Sequence, residues 1–277
     1  MSAQPNIVFW KNGERAIPRE FIKCGLFAVR GNRKREGCIK PSTIFSDSNK
    51  QGVTTVNYHG FGLNQDDLDV YLELLHLSKK VNTGEVISFT RSELLHSLGW
   101  PLQTRYRKKI IDCLDHLRNT AVSGNVIRYI GNNETTNRQF SFNLISEYSI
   151  YITDEDGKGT RRVSRDWSIV LPHGLNELFG GGGFARIDSY ERKALSGNSL
   201  AKFIHAFIAS NKYDGRFTPN AKQLHELSGS TRKKVKDFKA QELQKAIDCI
   251  NDANISYEVC MNKVTGRLAM MLRSENY

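Results

Sequence analysis

An internal repeat restricts the fold of this chain more than any other feature of it. Leu95-His96-Ser97-Leu98-Gly99 precedes Thr104-Arg105-Tyr106-Arg107-Lys108. Leu224-His225-Glu226-Leu227-Ser228-Gly229 precedes Thr231-Arg232-Lys233-Lys234. Each copy continues into an amphipathic helical pattern and then into two β-rich runs around a polar turn. Each half therefore spells a short helix, a turn, a second helix that starts basic, and a hairpin. That order is a helix-turn-helix followed by a wing. Spelled twice, it predicts an α+β protein of two tandem winged-helix (helix-turn-helix plus β-hairpin) domains. A length of 277 residues suits two such units.

The boundaries follow from local signals. Residues 1–60 are the least regular and are expected to pack on the first domain as an N-terminal segment. There, Ile17 to Phe21 reads as a helix start around Pro18, and Val53 to Tyr58 as a strand. The first domain is expected over 61–175. Asn64 suits the N-cap of a helix with Asp66 and Asp67 in its first turn. Thr90 and Glu93 have capping-box spacing, and Gly99 ends the short helix that follows. The next helix is predicted over 104–121, and strands over 122–130, 139–152 and 168–171. Gly180 to Gly183 marks a boundary. The second domain, 184–277, carries helices over 189–195, 200–210 and 219–227. A long helix over 230–251 and a closing hairpin over 255–273 complete it.

Residue types in the second helix of each repeat suit contact with DNA. Its first turns should be cationic or polar and its later turns apolar on one face. Tyr106, Ile110, Leu114, Leu117 and Ala121 form one predicted stripe, and Val235, Leu243, Ala246 and Ile250 the other. The candidate contacts in the first repeat are Thr104, Arg105, Arg107, Lys108 and Lys109. In the second they are Ser230, Thr231, Arg232, Lys233, Lys234 and Lys236. Arginine and lysine pair with guanine edges or phosphates, and serine and threonine cap helices and meet phosphate. Arg128, Arg138, Lys263 and Arg267 lie in the predicted hairpins, where they are expected to reach adjacent phosphates or the minor groove. A net charge of +11 favours a polyanionic partner.

Other classes fit poorly. No apolar run approaches the roughly 18 to 20 residues that span a bilayer, and Met1 to Trp10 has no signal-peptide pattern. The 5 cysteines form no CxxC pair, so neither a zinc site nor a disulfide framework is expected, and a reducing cytoplasm is. The glycine run lacks the Gly-Lys-Ser/Thr of a phosphate loop. The histidines show no His-x-His pair of the kind a nicking enzyme would use. His96 and His225 are expected at helix-turn-helix corners. Asp154 to Gly157 lacks the rest of a calcium loop. No catalytic residue, metal ligand or cofactor site is expected. A transcriptional repressor of the same fold, bound to a palindromic operator, is the alternative.

Several stretches also carry a family resemblance. Gly62 to Asp67, Gly84 to Thr90, Glu93-Leu94 and Leu98-Gly99-Trp100 resemble the TrfA-type plasmid replication initiators, as do Tyr106 and Leu117 to Ala121. Gly25-Leu26-Phe27, Leu144 to Tyr148, the glycines before Arg186-Ile187-Asp188, and Gly229 to Lys234 resemble the RepC-type initiators. The resemblance covers most of 20–275. It implies two winged-helix domains that bind direct repeats (iterons) in double-stranded DNA at an origin. It also implies opening of AT-rich DNA nearby and recruitment of a host replicative helicase or its loader. Its recognition-helix role falls on Thr104 to Lys109 and Ser230 to Lys236. Monomer and homodimer both remain open.

Overall fold

The computed structural model describes residues 10–29, 42–43, 55–129, 135–150, 166–179, 184–211 and 219–273. The basic stretch at Arg30 to Arg35, Cys38, the turn Gly131 to Glu134, Asp154 to Gly157 and Gly180 to Gly183 lie outside the described residues. So do the side chains of Arg128 and Arg138.

The chain opens with strand β1 (Glu14–Pro18) and helix α1 (Arg19–Lys23). Strands β2 (Ser42–Thr43) and β3 (Thr55–His59) follow, then helix α2 (Gln65–Leu77). The first winged helix continues through β4 (Val86–Thr90), α3 (Arg91–Leu98), α4 (Thr104–Arg118), β5 (Ala121–Tyr129) and β6 (Thr135–Asn143). After β7 (Glu147–Ser149), β8 (Asp166–Val170) and α5 (Leu175–Phe179), strand β9 (Phe184–Asp188) opens the second half. It contains α6 (Ser189–Ala194), α7 (Ser199–Asn211), α8 (Ala221–Ser228), α9 (Val235–Phe238) and α10 (Gln244–Asp252). The hairpin β10 (Tyr257–Met261) and β11 (Leu268–Leu272) ends it.

The two helix-turn-helix copies are built alike. Thr90 caps α3 in a box with Glu93, and Asn220 caps α8 in a box with Gln223. Each box satisfies two backbone N–H groups that helical bonding leaves unpaired. Both helices stop at a left-handed glycine, Gly99 (φ 70°) and Gly229 (φ 66°). Asn64 caps α2 in a third box, with Asp67 as its partner.

Three expectations are corrected. Helix α4 ends at Arg118 and Ala121 begins β5, because the Thr120 hydroxyl bonds back to the His116 carbonyl (2.7 Å) and turns the chain into the sheet. The single run over 139–152 is two strands in different sheets. Strand β6 joins the order β2-β3-β5-β6, and β7 joins β4-β8-β7. Leu144 and Ile145, both fully buried, make the crossing. The predicted long helix begins at Val235, not Ser230, and a π turn at Lys239–Leu243 interrupts it.

The N-terminal stretch does more than pack on the first half. Strand β1 pairs antiparallel with β9, with Ala16 opposite Arg186 at the centre. Each strand runs directly into its short helix, α1 after Pro18 and α6 after Asp188. Helix α1 packs on α7 of the second half. Helix α6 in turn sends Arg192 to α2 of the first half. The two arms are thus exchanged reciprocally, and one apolar core runs through both halves from Phe21 and Tyr71 to Phe203 and Phe207. At the second helix-turn-helix, Gly25 packs so closely that a Cβ there would stand 2.5 Å from the Leu227 carbonyl oxygen. Val29 N–H then bonds to the Ser228 carbonyl (2.7 Å).

Helix α2 lies at the centre and is buried on every side. Gln65, Asp69 and Glu73 share one face at four-residue spacing. Asp69 receives Arg192 on one oxygen and Lys202 on the other, both at 2.5 Å. Arg192 also donates to the Gln65 side-chain oxygen (3.1 Å) and the Lys202 carbonyl (3.1 Å). Glu73 accepts from Arg15 (2.8 Å) and from the Ser97 hydroxyl (2.5 Å). Buried charges are tolerated where each has partners, and for Asp69 those partners come from the other half of the chain.

Candidate nucleic-acid interface

Helix α4 is seated by Ile110, Cys113, Leu114 and Leu117, all buried. Its N-cap, Gln103, makes no side-chain cap bond, and its first turn holds no acid. The positive end of the helix dipole is therefore uncompensated where Thr104 and Arg105 begin it. Thr104, Arg105 and Lys108 are exposed and Arg107 is half-buried. The Arg105 guanidinium stands 4.8 Å from the Tyr106 ring centre and donates to its hydroxyl (3.3 Å). Arg107 and Lys108 make no ion pair with the described residues.

Lys109 has a different place. Its ammonium pairs with Asp66 on α2 (2.9 Å) and sits 4.4 Å from the Trp100 ring centre. It ties α4 to the helix behind it. One turn from the other end, His116 bonds to Asp67 (3.0 Å), the residue that completes the α2 capping box. That hydrogen bond holds the His116 pKa above the usual histidine value against the opposing effect of burial.

In the second copy the basic residues precede the helix. Ser230 donates to Glu242 (2.7 Å), and its hydroxyl oxygen accepts from the Arg232 N–H (3.3 Å). Arg232 pairs through Nε with the same carboxylate (2.9 Å). Its carbonyl meets His225 Nε2 at 2.8 Å, and the His225 ring lies edge-on to Phe238 at 5.1 Å. Ser230 to Lys234 therefore form a braced turn rather than a first helical turn. His225 occupies the expected corner, whereas its counterpart His96 is exposed.

The π turn decides which residues meet the core. An α-helix would follow buried Phe238 with Glu242 on the same face. The extra residue of the π turn brings Leu243 there instead, with Ala246, Ile247 and Ile250 after it. Glu242 is left to hold Ser230 and Arg232. Thr231, Lys233, Lys234 and Lys236 are exposed, and none of these three lysines makes an ion pair with the described residues.

Arg128 and Arg138 lie on β5 and β6, their backbones opposite Thr136 and Val126. Lys263 and Arg267 are exposed at the second hairpin turn. The Asn262 side chain shapes that turn by accepting from the Val264 and Thr265 N–H groups (both 2.9 Å). The Arg267 backbone bridges to Asn220, so the wing base is fastened to the α8 cap.

The sequence profile of the TrfA protein family matches residues 3–263. The chain belongs to the TrfA family. The plasmid replication initiator protein TrfA of Escherichia coli is 31% identical over 118 residues, 42% of this chain. That alignment spans only 30% of the relative's length. Two crystal structures of domains 2 and 3 of RctB share the architecture of this TrfA-family chain. One superposes with a TM-score of 0.54 at 13% identity, covering 92% of this chain and 96% of that one. The other gives 0.51 at 13% identity, covering 91% and 94%.

The structure of this TrfA-family protein thus places Arg105, Arg107 and Lys108 together at the start of α4, the second helix of the first helix-turn-helix. It places Lys233, Lys234 and Lys236 together at the start of its counterpart in the second. Lys109 and Arg232 are engaged within the fold. Lys239, exposed on the π turn, joins the second group and was missed at the level of sequence. Its signal was the basic spacing Lys233-Lys234-Lys236-Lys239. No described helix is long and apolar enough to cross a membrane.

Proposed function

We propose that this chain is a plasmid replication initiator that binds double-stranded DNA in a sequence-specific manner. The observation that carries the reading is the pair of braced helix-turn-helix units. Each has cations at the start of its second helix that make no ion pair with the described residues. Exchanged arms hold the two heads in one frame. A fixed spacing suits one long site read at two places, and repeated sites would gather several copies on one DNA segment. Phosphate contacts supply most of the affinity and a few side chains the specificity.

The finer reading is of direct repeats at an origin, opening of adjacent AT-rich DNA, and recruitment of a host replicative helicase or its loader. The family relation supports it. The chain acts on DNA in the bacterial cytoplasm, as a binding protein rather than an enzyme, and self-association into a homodimer is compatible with it.

A footprint on the DNA flanking its own gene tests the reading. Protection of several same-direction repeats is the expected result. One protected inverted repeat over a promoter would indicate a repressor, and metal-dependent nicking of supercoiled plasmid would indicate a nuclease.

A further inference from the structure

The exchanged arms do more than join the halves. Helix α6 of the second half ends against the helix-turn-helix of the first. Lys193 on α6 lies over Gly99, where a Cβ would stand 3.7 Å from the lysine Cδ. The stem therefore packs against the turn between α3 and α4 at van der Waals distance. Lys193, Ser196, Gly99 and Trp100 line one crevice.

The charges of that crevice are unequal. Its carboxylates are Asp69 and Glu73, and both are already bonded, to Arg192 and Lys202 and to Arg15. Lys193 is the fourth cation there and makes no ion pair with the described residues. Its ammonium lies 6.0 Å from the centre of the Tyr190 ring. The residue is half-buried, as a lysine is when its stem lies against the fold and its charged head stays toward water.

The same edge leads to the recognition helix. Trp100 packs against the Tyr106 ring (centroids 5.9 Å apart), and Arg105 stacks on Tyr106. In a helix-turn-helix, the first helix crosses the DNA backbone while the second enters the groove. A cation beside the turn between them lies along the path of that backbone.

We propose that Lys193 is a phosphate contact which the second half supplies to the DNA segment read by the first. The inference rests on the DNA-binding reading above and adds a composite site to it. The two half-sites then share a backbone contact at their junction. Binding one head places a residue of the other, which favours sites at one fixed spacing.

The test uses the full chain and a duplex carrying its footprinted site. Binding is measured across a salt titration for wild type, Lys193→Gln and Lys193→Arg. The glutamine variant is expected to lower the magnitude of the log–log salt slope by about one and to weaken specific and non-specific DNA alike. Lys193→Arg should restore the slope, and phosphate-ethylation interference should vanish at one backbone position in the glutamine variant. A purely structural role for Lys193 would not remove a single phosphate signal. Lys193→Met keeps the packed stem and removes the charge, so it must behave like the glutamine variant even if the latter folds poorly. A steep wild-type slope left unchanged by both variants would overturn this site alone. A flat wild-type slope would overturn the DNA-binding reading along with it.

Discussion

Arg105 and Lys109 sit one turn apart on α4 and do different work. Arg105 is exposed and leans on Tyr106, whereas Lys109 is held by Asp66 and Trp100. Reversing charge at Arg105 and Lys108 is expected to weaken specific binding by roughly 1 to 3 kcal/mol for each base edge no longer read. Lys109→Gln should act instead on stability, and by under about 1 kcal/mol, since its pair is partly exposed. Anisotropy titrations and urea unfolding separate the two effects. Histidines give a pH dependence of opposing sign. His76 accepts a hydrogen bond from the Trp10 indole, and burial with Arg15, Lys79 and Lys80 nearby lowers its pKa from 6.5 to about 4. Its contribution is present above the unfolded value and is lost as pH falls from 6.5 toward about 4. His116 has a raised pKa, so its contribution is full below 6.5 and is lost as pH rises through the folded value. Urea midpoints across pH should therefore flatten on the acid side in His76→Gln and on the neutral side in His116→Gln.

At the scale of elements, caps and stripes were legible because their chemistry is local. Thr90 with Glu93, Asn64 with its aspartates, and Gly99 are satisfied within a few residues of themselves. Thr90→Ala and Asn220→Ala should each cost about 1 kcal/mol in urea unfolding, as loss of a capping side chain does. The second helix of the second helix-turn-helix was not legible in the same way. Ser230 to Asn251 holds no glycine or proline and reads as one helix. Its true start depends on Glu242, twelve residues from Ser230, and on His225 across the turn. The π turn leads to a sharp expectation. Deleting Ala240 would bring Phe238 and Leu243 to α-helical spacing, so the variant should still unfold cooperatively. It should also lose DNA binding, because the braced turn is displaced from Glu242. Circular dichroism and anisotropy on one preparation check both halves of that expectation.

The whole molecule behaves as one frame because its halves exchange arms. Asp69 is the centre of that exchange, holding Arg192 of α6 and Lys202 of α7. Removing one partner from a buried ion pair typically costs about 3–5 kcal/mol, since the charge left behind is uncompensated. Asp69→Asn should therefore lower stability by that order and split a single urea transition into two. A single transition at the wild-type midpoint would show that the apolar core alone couples the halves.

From the sequence alone came most of the element types, the repeated helix-turn-helix order and the basic start of the second helix in each repeat. Those properties are periodic or local, and three or four neighbouring residues suffice to decide them. Only the tertiary structure decided that β1 belongs beside β9, that Lys109 and Arg232 are engaged while Lys108 and Lys233 are not, and that Lys193 reaches the other half. Each of those depends on a partner beyond the reach of local pattern, from ten residues for Arg232 upward, and a cation's fate follows from which carboxylate the fold brings within reach of it.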